Sequence, residues 1–312
     1  MSPYFPTGEK RNAGPGRRAF LQSTLLAAGG AALTALPGLR ALAAQPAPSR
    51  SYTVQEVIDI ILKEIPGTPP ATTVDTLKSG SGSQTVTGIV TTMFATWEII
   101  EATARAGANF IIAHEPTFYN HLDDPSWVPG NDLVARKQEL LSRHQIAVWR
   151  FHDNWHRHQP DGIGYGVLRK TGWLPYYKPG DLVLNLPVTP FRDLVHHLQS
   201  TLGTGPVRVI GNLDQPCSRI GLLPGAAGGE MQIGLVLKEH PDVLVVGEVH
   251  EWETAEFIRD LRLAGGKTCL VILGHCASEE PGMEWLVDWL QPKVPGLPVT
   301  HLPSGSPFQW VS

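Results

Sequence analysis

The feature that most constrains the fold is a regular alternation of short apolar runs with longer amphipathic stretches, which begins near residue 85. Runs rich in β-branched residues are typical of strands, and the amphipathic stretches between them are typical of helices. In the first half of the chain the pattern predicts strands at 85–93, 110–113 and 147–151, and helices at 98–106, 133–143 and 162–171. Strands that alternate with helices favour βαβ units. We therefore expect an α/β fold with mostly parallel or mixed sheets.

A second series of elements begins near Asp181. The pattern predicts strands at 182–186, 207–210, 220–223, 243–246, 268–273 and 299–302, and helices at 191–202, up to 238, 254–263 and 279–290. The glycine run 225–229 is predicted to be a tight turn, with an anion site at a helix start as the alternative. Segments 45–50 and 78–84 are rich in Pro, Ser or Gly and are predicted to be linker and loop. We expect two coupled lobes, at about 51–180 and 181–312.

The N-terminus has the three parts of an export signal in their usual order. A twin-arginine pair, Arg17-Arg18, precedes the apolar run Leu25–Leu36, and small residues at 41–44 offer a cleavage site. The alternative is a basic N-terminus ahead of a disordered tail. The apolar run is short and Gly-rich for a membrane span, so we expect no stable span once the signal is removed. Residues 1–44 are thus predicted to be a twin-arginine signal peptide that directs the protein to the periplasm or the extracellular space.

Removal of the signal changes the charge balance of the chain. It takes away five of the 25 basic residues and one of the 29 acidic residues, which leaves 20 against 28 and a net charge of −8. No basic run remains that would follow a phosphate backbone, so we expect no nucleic-acid partner. The three cysteines are too few for a disulfide framework and form no CxxC pair, which argues against a thiolate zinc site.

Polar side chains collect where the predicted strands end. His114-Glu115 follows strand 110–113, the segment 152–156 follows strand 147–151, and the segment 275–279 follows strand 268–273. Glu248 and His250 follow a fourth strand. Because the carboxyl ends of parallel strands lie along one edge of a sheet, we expect these side chains to converge on one side of the molecule.

Imidazole and carboxylate groups together suit zinc, iron or manganese. At a strand end, with Pro116 behind Glu115, neighbouring His114 and Glu115 can splay toward two metals, and paired catalytic metals lie ~3.5–4 Å apart. Ser278 is expected to cap a helix and to place Glu279 in its first turn, where the carboxylate can bridge both ions. The sequence predicts a two-metal site with five ligands: His114, Glu115, His156, His275 and Glu279.

The other polar residues of these segments have open roles. His152 is interpreted either as a ligand or as an outer-shell support, and Asp153 likewise. Glu248 and His250 either line the site or solvate a loop, and we favour lining. If they are not ligands, Asp153 or Glu248 can accept the proton of an attacking water. Four further histidines are predicted to lie at the surface: His144, His158, His196 and His197.

At these residues the chain resembles the NIF-three-like family, also known as the GTP cyclohydrolase I type 2 homologues. Segment 108–116 resembles the family segment that ends in His-His-Pro, and segment 274–279 is similar to its Gly-His-x-x-Thr-Glu motif. Segments 247–251 and 303–311 resemble its Gly-Asp/Glu segment and its closing strand. The resemblance covers residues 55–312. It implies a dinuclear metal site on an α/β fold and a ring-shaped homo-oligomer, a hexamer.

Two positions depart from the family pattern. Glu115 stands where the second family histidine is usual, and His156 stands where the His-Thr-Asn-Leu-Asp motif has its ligating aspartate. The two changes exchange an imidazole for a carboxylate and the reverse, so the number of donors and their summed charge are kept. We interpret this as a retuned site. We expect a metal-dependent hydrolase with a small-molecule substrate, and the alternative is a non-enzymatic metal-binding or metal-delivery protein.

Export is the first testable consequence. Replacement of Arg17 and Arg18 by lysine is expected to leave the full-length protein in the cytoplasm, because the twin-arginine pair is the recognised part of the signal. Cell fractionation followed by immunoblotting of both forms measures the outcome. Export of the double variant at the level of the parent chain would contradict the signal assignment.

Overall fold

The computed structural model describes residues 50–68, 70–127 and 129–311. The predicted signal peptide, 1–44, lies outside these residues. The described strands β1 to β10 are Leu77–Ser79, Ile89–Thr92, Phe110–Ala113, Ala147–Arg150, Val183–Pro190, Arg208–Ile210, Pro216–Leu223, Val243–Val246, Cys269–Ile272 and Val299–His301. The described helices α1 to α9 are Val54–Lys63, Trp97–Arg105, Asp132–Arg143, Asp153–Arg157, Gly162–Lys170, Phe191–Leu202, Gly229–Glu239, Glu256–Leu263 and His275–Leu290. Within this part of the chain, no helix has both the length and the apolar character that a bilayer crossing requires.

The elements form two five-stranded sheets. The first has the order β1-β4-β3-β2-β10, and all its neighbours are parallel except β1, which runs antiparallel to β4. The second has the order β5-β7-β8-β9-β6, with three parallel central strands and an antiparallel strand at each edge. The expected α/β fold with mostly parallel or mixed sheets is confirmed.

The central strands read as continuous apolar runs because both faces of each sheet are covered. All four residues are buried in each of β2, β3, β4, β8 and β9. The structure adds three elements that the sequence pattern did not predict: helix α1, strand β1 and the short helix α4. Helix α1 starts at a capping box in which Thr53 and Glu56 each accept the other's backbone N–H. Strand β1 lies in the segment predicted to be a loop, where its pairing with β4 makes it an edge strand.

The chain does not complete the first sheet before it builds the second. Strand β10 returns to pair with β2, so a division near residue 180 describes four strands of the first sheet but not the fifth. Helix α9 makes this return: it starts directly after β9 of the second sheet, and its residues Met283, Leu286 and Leu290 belong to the apolar core beneath the first sheet. Helix α9 therefore links both sheets.

Helix α9 also packs closely against α5. A Cβ at Gly166 of α5 would overlap the backbone of Gly282 in α9, so the two helices touch through their backbones. This contact is possible only because neither residue has a side chain. It fixes the distance between α9 and α5.

Candidate metal centre

The predicted ligands converge, and they come from two sheets rather than from one edge. His114 and Glu115 follow β3 of the first sheet, whereas His275 and Glu279 lie in α9, which follows β9 of the second sheet. The Nε2 atom of His275 lies 3.2 Å from Oε1 of Glu115, and Nε2 of His114 lies 3.6 Å from Oε2 of Glu279. The expectation of a single sheet edge is wrong because β3 and β9 belong to different sheets. The convergence itself is present.

Four histidines of this region share one arrangement: Nδ1 of each ring donates to an oxygen atom. The pairs are His114 with the Phe151 carbonyl (3.0 Å), His152 with Asp153 (2.9 Å), His156 with Asp161 (2.9 Å) and His275 with Glu248 (2.9 Å). These oxygens only accept, so Nδ1 is protonated in each ring. Among the described residues Nε2 of His114 has no hydrogen-bond partner, whereas Nε2 of His275 also donates, to Glu115 (3.2 Å) and Glu279 (3.1 Å). Such outer contacts fix the tautomer of metal-ligating histidines.

Two groups of side chains bring their possible donor atoms within 4.8 Å of one another. One consists of His114, His152 and His156, and the other of His114, Glu115 and Glu279. His114 is shared by both, is fully buried, and its Nε2 has no hydrogen-bond partner among the described residues. A buried nitrogen without a partner costs free energy, and a metal ion would satisfy it. The donor set thus fits a divalent cation.

The charges support the same conclusion. Burial lowers the pKa of His114 well below its usual value, so its ring is neutral and has a free lone pair. Burial also opposes charge on His275, yet its contacts with Glu115, Glu248 and Glu279 raise its pKa to about 12. Without metal, the protonated His275 is the cation among three carboxylates. A metal ion bound through its Nε2 must displace that proton.

A family model described as Duf34/NIF3 (NGG1p interacting factor 3) matches residues 53–305. The chain belongs to the DUF34/NIF3 family. The match spans both sheets and every residue of the candidate centre, as the NIF-three-like resemblance implied. No curated protein matches the chain.

Solved structures support the DUF34/NIF3 fold. The Staphylococcus aureus protein SA1388 is 17% identical, with a TM-score of 0.65 over 83% of this chain and 99% of that one. A Bacillus cereus protein related to NIF3 is 15% identical, with a TM-score of 0.66 over 84% and 100%. The protein TTHA1606 from Thermus thermophilus is 17% identical, with a TM-score of 0.54 over 80% and 95%. At these identities the likeness establishes the fold.

The two positions that depart from the DUF34/NIF3 motifs each have a partner of opposite charge. Oε2 of Glu115 lies 3.5 Å from Nη2 of Arg150, which is fully buried at the end of β4. Burial raises the pKa of Glu115, but its hydrogen bond from His275 and the neighbouring histidines lower it to about 2. For His156 burial lowers the pKa, but the Asp161 carboxylate has the opposite effect, and the pKa lies above the usual value of histidine. Each exchanged residue is therefore matched to its surroundings.

Several residues that build the centre were not identified from the sequence. The Asp75 carboxylate accepts from the backbone N–H groups of His152, Asp153 and Asn154, at 2.8–2.9 Å, and so fixes the start of α4. Asp161 holds His156 and also caps α5 by accepting from the Gly164 N–H. Asp161 directly precedes the predicted helix at Gly162, which is a capping signal. Asp75 is distant in sequence and has no local signal.

Neither predicted proton acceptor is a free carboxylate. Asp153 accepts from His152 on one oxygen and from Thr73 and the Val74 N–H on the other. Burial raises the pKa of Asp153, but these hydrogen bonds lower it to about 2, which makes it a weak base. Glu248 accepts from His275 through Oε1 and is half-exposed. Asp153 is thus a positioning residue, and of the two only Glu248 keeps an oxygen toward solvent.

The remaining histidines divide into exposed and packed side chains. His144 and His196 are exposed, as predicted. His250 is exposed, stacks on Trp252 and lies 3.2 Å from Glu253, so it does not support the cluster directly. The surface interpretation of His158 and His197 is wrong, because each is partly buried against tryptophan. Neither residue is a neutral control for substitution.

Glu279 is placed by the glycine run instead of by a helix cap. Helix α9 begins at His275, so Ser278 lies inside it and donates to the His275 carbonyl while it accepts from the Gly225 N–H. The expected cap at Ser278 is wrong. Gly225 has φ +66°, and a Cβ there would overlap the Glu279 carboxylate. The run bends at Gly225 and leads into α7, so it contains no tight turn, and its backbone at Gly225 lies directly against Glu279.

This contact predicts a specific effect of Gly225→Ala. The substitution is expected to displace Glu279 and to weaken metal binding by about 10–100-fold, the usual cost of a disturbed ligand environment. Gly228→Ala is the matched control, since Gly228 also has positive φ (+82°) but open space at its Cβ. Both variants carry a backbone cost of about 1–3 kcal/mol, because both positions have positive φ, and thermal melting measures this cost. Equal metal affinity of the two variants would show that Gly225 does not position Glu279.

Proposed function

We propose that this protein is a metal-dependent hydrolase that acts on a small molecule outside the cytoplasm and holds two divalent ions. The observation that carries the proposal is the pairing of four imidazoles, each with Nδ1 engaged, with two buried carboxylates, Glu115 and Glu279. Buried ionised groups require partners. A cluster with so many donors and one orphaned nitrogen is suited to cations.

The contacts of Glu279 support two ions instead of one. Its Oε2 lies 3.6 Å from Nε2 of His114 and 3.1 Å from Nε2 of His275, and these histidines come from opposite sheets. Glu279 therefore lies between a His114 side and a His275 side and is suited to bridging. In this assignment His156 is a ligand on the His114 side, and Glu115 is a ligand on the His275 side. Mixed imidazole and carboxylate donors favour zinc, iron or manganese.

The chemistry proposed for the centre is attack by water. Divalent ions, when bound, lower the pKa of water from 15.7 to about 7 and polarise the bond to be broken. Glu248 is the proposed proton acceptor, because it is half-exposed beside His275 and one of its oxygens is not engaged. Its pKa is held below the usual value, first by the hydrogen bond from His275, so it is ionised at neutral pH.

A non-enzymatic role in metal binding or delivery is the second candidate. One observation favours it: the clustered imidazole and carboxylate donors are sufficient to hold a metal ion by themselves. A hydrolase needs substrate contacts beside its metals. Self-association into a ring and export by the twin-arginine pathway remain predictions, and both are compatible with either function.

Metal content tests the ligand assignment. His156→Ala and Glu115→Ala are each expected to retain at most one ion per chain after dialysis, measured by elemental mass spectrometry, because each removes a donor. His196→Ala is the control, since this histidine is exposed.

The double variant Glu115→His with His156→Asp keeps donor number and charge and is expected to retain two ions. It leaves Arg150 beside an imidazole, so we expect a lower melting temperature.

Two ions in both alanine variants, held as tightly as in the parent chain, would rule out Glu115 and His156 as ligands.

Turnover tests the enzymatic part of the proposal. The metal-loaded full chain is expected to cleave at least one chromogenic ester, phosphoester or amide, and chelation is expected to abolish the activity until zinc or manganese is restored. Glu248→Gln is expected to lower kcat by about 10²–10⁴, the usual contribution of a general base. Because Glu248 also orients His275, the variant is assayed at a metal concentration that keeps both positions filled. Two bound ions without turnover on any of these substrates would favour the metal-delivery function.

A further inference from the structure

His152 lies on the His114 side of the candidate centre, next to the rings of His114 and His156. The ring centroids of His114, His152 and His156 form a nearly equilateral triangle, with separations of 4.6, 5.0 and 5.1 Å. The side chains are 0, 21 and 34% exposed, so the triangle extends from the core to the surface. Their possible donor atoms lie within 4.8 Å of one another. One ion can therefore contact all three rings.

The three rings are held independently of one another. Nδ1 of His114 donates to the Phe151 carbonyl, and the other two rings donate to Asp153 and Asp161. The three acceptors lie in different elements or turns, and none belongs to another ring of the triangle. Each ring is thus fixed in the tautomer with a free Nε2.

The turn that carries His152 is also anchored. Asp75 accepts from the N–H groups of His152, Asp153 and Asn154, and from the Asn154 side chain at 2.7 Å. Asp153, which orients the His152 ring, is itself held by Thr73. Two carboxylates therefore position one partly exposed ring, an arrangement that a solvated histidine does not require.

A purely supporting role for His152 would need a hydrogen bond from its ring to a ligand. Its Nε2 lies 3.8 Å from Oε1 of Glu115, which is too far for a hydrogen bond. Its Nδ1 faces Asp153 instead. The ring nitrogen that faces the centre is thus free of a protein partner at hydrogen-bond distance.

We propose that His152 is a metal ligand and that the centre is asymmetric. His114, His152 and His156 provide a three-imidazole position, Glu115 and His275 provide a position richer in carboxylate, and Glu279 lies between the two. The inference rests on the proposed two-ion centre and extends it to the identity of each ion. Three imidazoles suit zinc, whereas carboxylates favour a harder cation such as manganese. The centre therefore takes zinc on the first side and manganese on the second.

The first experiment counts imidazoles around zinc. Metal-free full chain is loaded with one equivalent of zinc, and zinc-edge X-ray absorption is recorded for the parent chain, His152→Ala and the control His121→Ala. His121 is exposed, and its ring lies 5.8 Å from that of His152, outside the triangle. We expect three imidazoles for the parent and the control, two for His152→Ala, and about 10–100-fold weaker zinc binding in that variant.

The second experiment tests the asymmetry. Metal-free protein is incubated with one equivalent each of zinc and manganese per chain, so that zinc, which binds most sites more tightly than manganese, cannot fill both positions. One ion of each per chain is expected. His152→Ala is expected to lose zinc selectively, and Glu115→Ala to lose manganese selectively. Two imidazoles around zinc in the parent chain, unchanged zinc affinity in His152→Ala, or no zinc uptake would each overturn the proposal. Because the parent spectrum needs no variant and neither experiment measures turnover, a failure of the hydrolase function is distinguishable from a failure of this inference.

Discussion

The burial of two carboxylates where the two sheets meet is the constraint on which the rest of the centre depends. Glu115 and Glu279 are both almost fully buried, and ionised carboxylates in such a place require positive charge nearby. The Arg150 guanidinium supplies part of this positive charge, and protonated His275 supplies further positive charge when no metal is bound. The position of His275 between three carboxylates is therefore best understood as a cation site that a proton can fill.

The sequence predicted the elements and the side chains that cluster better than it predicted the residues that support them. His114 and Glu115 directly follow β3, and His275 and Glu279 lie in the first turns of α9, which follows β9. Strand ends in α/β folds are local signals. Asp75, Arg150 and Gly225 act through contacts with residues far away in the chain, for which a single sequence has no pattern. The same limit explains why the segments appeared to belong to one sheet edge: strand order depends on long-range pairing, and periodicity does not encode it.

The exchange of Glu115 and His156 relative to the family motifs is consistent with their surroundings. Glu115 is next to the Arg150 guanidinium, and His156 is next to the Asp161 carboxylate. With the residues of the motifs that the chain resembles, an imidazole beside Arg150 would not provide the ion pair that Glu115 does, and an aspartate beside Asp161 would be repelled by it. Each exchanged residue thus matches the charged group next to it, Arg150 for Glu115 and Asp161 for His156. The two positions are therefore best regarded as one coupled unit.

The backbone contact between Gly166 and Gly282 has a consequence for the orientation of α9. Successive residues of a helix are separated by about 100° around its axis, since a turn has 3.6 residues. His275 and Glu279 lie four residues apart on one side of α9, so a small rotation of this helix would turn both away from the first sheet together. Because the two helices touch through their backbones, they can pack together at this point in only one arrangement. The glycine pair thus sets the rotational orientation of α9 at a point about one turn from Glu279 and about two turns from His275.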